Sequence, residues 1–215
     1  MTRIKICGIK EIEHAVAAAK NGADFIGMVF AISKRRITPE KAKLIAERVR
    51  DLPRRPALLG VFANAPAAEV NQIAEYCHLD RVQLSGEEPW QYCREIKLPV
   101  IKVMHVSARK TGLKIRKDIA TGLKLCPEKD FIYLLDSRSA GSYGGTGKTF
   151  DWQIAREIAA RHQVIVAGGL NPGNVSQLIK EVSPWGVDVS SGVETKGRKD
   201  TAKIIAFINA VRAAG

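Results

Sequence analysis

The sequence predicts an α/β fold, a single (βα)8 TIM barrel in one domain spanning residues 1–215. Three observations predict it. Short β-branched runs alternate with segments of helical spacing along the whole chain. The strands are nearly continuous apolar runs, as in a parallel sheet covered on both faces. Eight strand–helix units fit into 215 residues; alternating units imply right-handed parallel crossovers, and eight of them can close into a lean barrel with no room for a second domain.

The strands are expected at RIKIC (3–7), DFIGMVF (24–30), ALLGVF (57–62), RVQL (81–84), VIKVMHV (100–106), FIYLLD (131–136), VIVAG (164–168) and GVDVS (186–190). In the first helix, 11–23, the spacing puts Ile12, Val16 and Ala19 on one face, and Asn-Gly ends it. The second, 38–49, has Thr38 as N-cap, Pro39 at its first position and Leu44, Ile45 and Val49 on the apolar face. Further helices are expected over 65–77, 87–96, 149–160, 171–182 and 199–211, with a less periodic one within 107–125.

Composition limits the function classes. A 46% hydrophobic and 26% charged chain is an ordinary globular balance, no apolar run is long enough to span a bilayer, and charge at Lys5, Lys10 and Glu11 interrupts any secretory pattern. A cytoplasmic location without membrane attachment is expected. Cys7, Cys77, Cys93 and Cys126 share no metal-binding spacing with each other or with His14, His78, His105 and His162, so no metal is expected. The net charge of +12 favours an anionic partner. It is spread over helix faces, with no basic strand interleaved with aromatics, so solvated faces explain most of it and no nucleic-acid partner is expected.

Chemistry on this fold gathers at the C-terminal strand ends. Those ends carry Cys7, Ser33 to Arg36, Asn64, Gln83, Ser85, His105, Asp136, Arg138, Gly168, Gly169 and Asp188 to Gly192, a polar and glycine-rich set. Neither a GxGxxG fingerprint after the first strand nor a true P-loop is present: in GSYGGTGKT (141–149) the first P-loop glycine would fall at Ser142.

The segments IKICGI (4–9), SKRRITPE (33–40), VQLSGEE (82–88), LLDSRSAGSYGGTGKTFDW (134–152), VIVAGGLNPGNV (164–175) and GVDVSSGVE (186–194) resemble the phosphoribosylanthranilate isomerase family, in family order and over residues 3 to about 213. The resemblance implies a cofactor-free Amadori rearrangement of N-(5-phosphoribosyl)anthranilate in tryptophan biosynthesis. It implies Cys7 as the base, with Arg35 and Arg36 offering a positive field for the thiol, and Asp136 as the acid. Arg35 takes the place of the arginine that binds the anthranilate carboxylate. Gly168 and Gly169, with Ser190, Ser191 and Gly192, form the expected phosphate site, where backbone N–H groups suit a dianion. Gln83, Asp188 and the loop glycine Gly145 complete the expected substrate contacts, and Lys148 stands beside that loop. One departure stands out: the family's usual histidine in VQLHG is Ser85 here, with His105 as a possible stand-in. A monomer is expected. The rival readings are another phosphosugar barrel, which would call for metal-binding His and Asp or for paired Lys and Glu, and a polyanion- or RNA-binding module.

Overall fold

The structure, a computed structural model, describes residues 1–106, 112–137 and 152–215. Eight parallel strands close into a barrel: β1 (Arg3–Cys7), β2 (Phe25–Val29), β3 (Ala57–Phe62), β4 (Arg81–Leu84), β5 (Val100–Val106), β6 (Phe131–Ser137), β7 (Val164–Val166) and β8 (Gly186–Val189). Each pairs with its sequence neighbours, and β1 closes the ring on β8 with Lys5 opposite Asp188. Helices α1 (Ile12–Lys20), α2 (Pro39–Arg50), α3 (Ala67–Tyr76), α4 (Tyr92–Glu95), α5 (Gly112–Leu125), α6 (Trp152–Ala159), α7 (Val175–Val182) and α8 (Thr201–Ala214) follow the strands. After β8 the chain makes a short 3-10 turn, Ser191–Val193, and a small hairpin of β9 (Glu194–Thr195) and β10 (Arg198–Lys199).

The period-2 alternation of the strands divides the core. One set of residues (Ile4, Ile6, Ile26, Met28, Leu58, Val82, Leu135, Val187) packs outward under the helices. The other set (Phe25, Leu59, Ile101, Val103, Ile132, Leu134, Ile165, Ala167) fills the barrel interior, beneath a separate small cluster of Cys7, Val29 and Val61. Everything inward-facing above that filling therefore belongs to the mouth.

Three details differ from the sequence expectation. On α1 the buried residues are Ala15, Ala18 and Ala19, while Ile12 is 42% exposed; alanines let the helix lie close to the sheet. On α2 Leu44 is 57% exposed, and Ala42, Ile45, Ala46 and Val49 form the buried face. The helix expected over 87–96 shrinks to Tyr92–Glu95. Glu88 is drawn into the protein instead, where its carboxylate accepts from the Asn64 and Gly86 N–H groups and faces Lys102 Nζ at 3.4 Å. Those tertiary bonds replace the first helical turn. The caps read from sequence hold at α2, where Thr38 Oγ1 accepts from the Lys41 N–H.

Candidate active site

The C-terminal mouth is a cavity lined by Cys7, Val29, Ala31, Ile32, Ser33, Arg35, Val61, Ala63, Gln83, Ser85, Val103, His105, Leu134, Asp136, Ala167 to Leu170, Asp188, Ser190 and Ser191. Most of these are the inward residues of successive strands. The alternation that buries Ile4 and Ile6 outward turns Lys5 and Cys7 inward. Among the residues singled out in the sequence, Cys7, Arg35, Gln83, Asp136, Gly168, Gly169, Asp188, Ser190 and Ser191 all come together here. Gly145, Arg138 and Lys148 lie outside the described residues.

Gly192 is the exception: it does not line the cavity. A Cβ there would stand 1.9 Å from the Leu170 carbonyl oxygen, so the missing side chain lets the loop after β8 touch the loop after β7. Gly168 and Gly169 adopt left-handed φ of 90° and 68°, which a side chain would resist. The Gly169 carbonyl accepts from Asn174 Nδ2 at 3.0 Å, which fixes the turn entering α7.

Gly8, straight after the thiol, has φ 78°, and a Cβ on it would come within 2.5 Å of Arg35 Cδ. The glycine thus turns the chain at the strand end and clears a path for Arg35. That arginine is gripped by Glu194, with Nε to Oε1 at 2.6 Å and Nη2 to Oε2 at 3.0 Å. Lys199 Nζ also reaches Glu194 Oε1, at 3.0 Å, and the Ser190 carbonyl at 2.8 Å. Ser190 Oγ in turn donates to the Cys7 carbonyl at 3.1 Å.

The electrostatics of the thiol differ from the expected arginine field. Burial pushes the Cys7 thiol up from its ordinary value, and the cations that pull it back are Lys5 and Lys199. Arg36 is exposed, and its partner on β2 is a backbone bridge to Val29. Lys5 is fully buried, with Nζ 3.0 Å from Asp188 Oδ1. Burial disfavours its charge, but Asp188 and Cys7 outweigh that and hold the ammonium.

On the far side of the cavity Gln83 Nε2 donates to Ser85 Oγ at 3.0 Å, and His105 Nε2 meets the Ser85 carbonyl at 3.0 Å. His105 pairs in register with Asp136 on β6. Ser85 thus joins Gln83 and His105 on this side of the mouth. Sequence reading missed Lys5, Gly27, Glu194 and Lys199. The one available signal was parity: Lys5 sits two residues before Cys7 in an otherwise apolar strand.

A family model described as N-(5'phosphoribosyl)anthranilate (PRA) isomerase matches residues 4–210. A relative of that name from Dehalococcoides mccartyi is 53% identical over 212 residues, 99% of this chain and 96% of its own length. The chain belongs to the phosphoribosylanthranilate isomerase family. It is an isomerase of tryptophan biosynthesis. The crystal structure of phosphoribosyl anthranilate isomerase from Thermotoga maritima is similar at a TM-score of 0.83 and 39% identity, covering 99% of this chain and 100% of that one. A further phosphoribosyl anthranilate isomerase, in complex with reduced 1-(o-carboxyphenylamino)-1-deoxyribulose 5-phosphate, is similar at 0.80 and 37%, with 99% and 100% covered.

Proposed function

We propose that this chain rearranges N-(5-phosphoribosyl)anthranilate to 1-(2-carboxyphenylamino)-1-deoxyribulose 5-phosphate by acid/base chemistry, with Cys7 as base and Asp136 as acid. The observation that carries the reading is that Cys7 on β1 and Asp136 on β6 face one cavity from non-adjacent strands. An Amadori rearrangement needs two such groups on opposite parts of the sugar. The Asp136 carboxyl gives its proton to the furanose oxygen as the C1′–O bond breaks, the anilino nitrogen supplying the electron pair. The Cys7 thiolate then takes the C2′ proton, and the enolamine so formed tautomerises to the ketone.

The substrate's two anionic ends find different partners. Its phosphate suits the backbone N–H groups of Gly168, Gly169 and the 3-10 turn at Ser191, donors that carry no side chain in the way. Its carboxylate suits the guanidinium edge of Arg35 that Glu194 leaves uncovered, and Gln83 reaches the ribose. Asp188 meets the substrate from the cavity floor.

We infer that the protein acts in the cytoplasm as one domain and as a monomer; sedimentation checks the monomer. Among the described residues no helix is long and apolar enough to cross a membrane.

Loss of substrate fluorescence, with substrate made in situ, tests the assignment. Cys7→Ser is expected to lower kcat at least about 10²-fold with the fold intact, since a hydroxyl is a far poorer base than a thiol. Asp136→Asn is expected to lose a comparable factor with little change in KM. A Cys7→Ser protein that keeps more than about a third of its kcat would reject the thiol as base.

A further inference from the structure

We propose that Lys5 is a positioning residue for the reaction, an ammonium pinned beneath the cavity floor by Asp188 that steadies the Cys7 thiolate from behind. The inference rests on the reading of Cys7 as the base.

Four residues meet where β8, β1 and β2 run side by side. The register sets Lys5 opposite Asp188 and Cys7 opposite Gly27. A Cβ on Gly27 would lie 3.0 Å from Cys7 Sγ and 3.2 Å from Lys5 Nζ. Sulfur and nitrogen thus border the same small space and are at most about 6 Å apart, within the range over which an opposite charge shifts an ionisation. Any larger residue at 27 would crowd both.

Lys5 is 0% exposed and is not among the residues lining the cavity, so substrate does not reach it. Stability gives no reason for a charge here. A buried ion pair is commonly no better for folding than an apolar pair of the same volume. A base that must carry negative charge in a closed barrel does give one, because a fixed cation nearby offsets the burial that disfavours a thiolate. The charged groups acting on the sulfur are Lys5 from β1, Asp188 from β8 and Lys199 from β10; the two lysines favour the thiolate and Asp188 opposes it. Lys5 keeps its proton throughout, and the C2′ proton goes to the sulfur.

The test reads the thiol itself. Alkylation by iodoacetamide is followed against pH for the wild type, Lys5→Met, Lys5→Arg and the double variant Lys5→Met/Asp188→Asn. Cys7→Ser serves as the blank, since Cys77, Cys93 and Cys126 are fully buried. The double variant exchanges the ion pair for neutral groups of similar size, so it folds even if Lys5→Met alone strands a buried carboxylate. Removing the ammonium is expected to raise the alkylation midpoint by about one pH unit or more and to slow alkylation at neutral pH about tenfold. Lys5→Arg, which keeps the charge, is expected to stay near the wild-type profile. Because the double variant also removes Asp188, which opposes the thiolate, it is read against Asp188→Asn alone; a midpoint no higher than in that single variant overturns the proposal. If that happens while Cys7→Ser is inactive, Lys5 alone is misassigned. If Cys7→Ser turns over normally, the base assignment fails whatever the alkylation shows.

Discussion

Glu194 holds Arg35 by its side edge, with paired contacts of 2.6 and 3.0 Å, and leaves the outer edge of the guanidinium free of that carboxylate. Burial works against the Glu194 charge, yet Arg35 and Lys199 outweigh it and keep the carboxyl below the usual range. Glu194 therefore carries its charge at neutral pH, and its paired bonds hold Arg35 in one orientation. If Arg35 takes the substrate carboxylate as proposed, that group meets a preset fork rather than a swinging side chain, which lowers the ordering cost of binding.

Arg35→Ala should weaken kcat/KM by about 2–5 kcal/mol, the cost of truncating one partner of a desolvated charged pair. Exposed Arg36→Ala should lose well under about 1 kcal/mol. Glu194→Gln should raise KM about tenfold while kcat changes less, because it frees the arginine without removing it. Inhibition by inorganic phosphate should hardly move in any of the three. The assignment is sunk if Arg36→Ala gives the larger loss, or if Arg35→Ala weakens phosphate inhibition as much as turnover.

Gly192→Ala separates a packing glycine from a ligand-contacting one. The added Cβ would collide with the Leu170 carbonyl, a backbone atom that no rotamer can move aside. The loops after β7 and β8 must then part, at about 1–3 kcal/mol of stability. Gly168, Gly169 and Ser191 sit on those loops, so phosphate should inhibit more weakly and KM should rise. A variant with wild-type stability and phosphate inhibition would show that the two loops tolerate separation.

The barrel was legible because all eight strands read as apolar runs and most of the segments between them show a helix-period face. The mouth was legible because strand ends can be read off those runs, which placed Cys7, Asp136, Gln83 and Asp188 without any long-range information. What stayed hidden depends on partners far away in sequence. Lys5 bonds Asp188 across 183 residues and Arg35 bonds Glu194 across 159. In sequence, Lys5 reads only as a charge interrupting a strand. The overlong fourth helix failed for the same reason, since Glu88 looks like a helix opener until Asn64 and Lys102 claim it. Ile12 and Leu44 were misplaced because alanines can form a buried stripe that hydrophobicity alone underweights.

If Cys7 is the base, its raised thiol sets the alkaline side of the pH profile. On the proposed assignment the reactive form is a thiolate paired with a protonated acid, so activity falls once the higher of the two ionisations is passed. The plateau in kcat/KM should therefore end, on its alkaline side, where Cys7 loses its proton, above the ordinary thiol value of 9.0 because of burial. Measured in parallel, the alkaline limb and the Cys7 alkylation midpoint should coincide. Their clear separation would mean that another group limits the alkaline side.

Acid stability should depend on Asp24, at the opposite end of the barrel from the cavity. Its Oδ1 accepts from Arg3 Nη1 at 2.7 Å, and its Oδ2 accepts from the Ile4 N–H at 2.9 Å and Arg212 Nη2 at 3.0 Å. Arg212 also donates to the Thr2 and Gly22 carbonyls, so one carboxylate ties the start of β1, the entry to β2 and the end of α8. Burial alone would raise its pKa, but the Arg3, Ile4 and Arg212 hydrogen bonds prevail and hold it below 3.8. A depressed carboxyl binds its proton more readily in the unfolded chain. Its stabilisation is thus fully present above the ordinary aspartate value and is lost as pH falls through the folded one. Asp24→Asn should cost about 1–3 kcal/mol at neutral pH, as for hydrogen bonds to charged groups. The gap from wild type should close in denaturant melts as the pH drops below 3.8. Turnover at neutral pH should be unchanged, because Asp24 lies away from the residues lining the cavity. A gap that stays constant down to the acid limit would assign the loss to packing instead of charge.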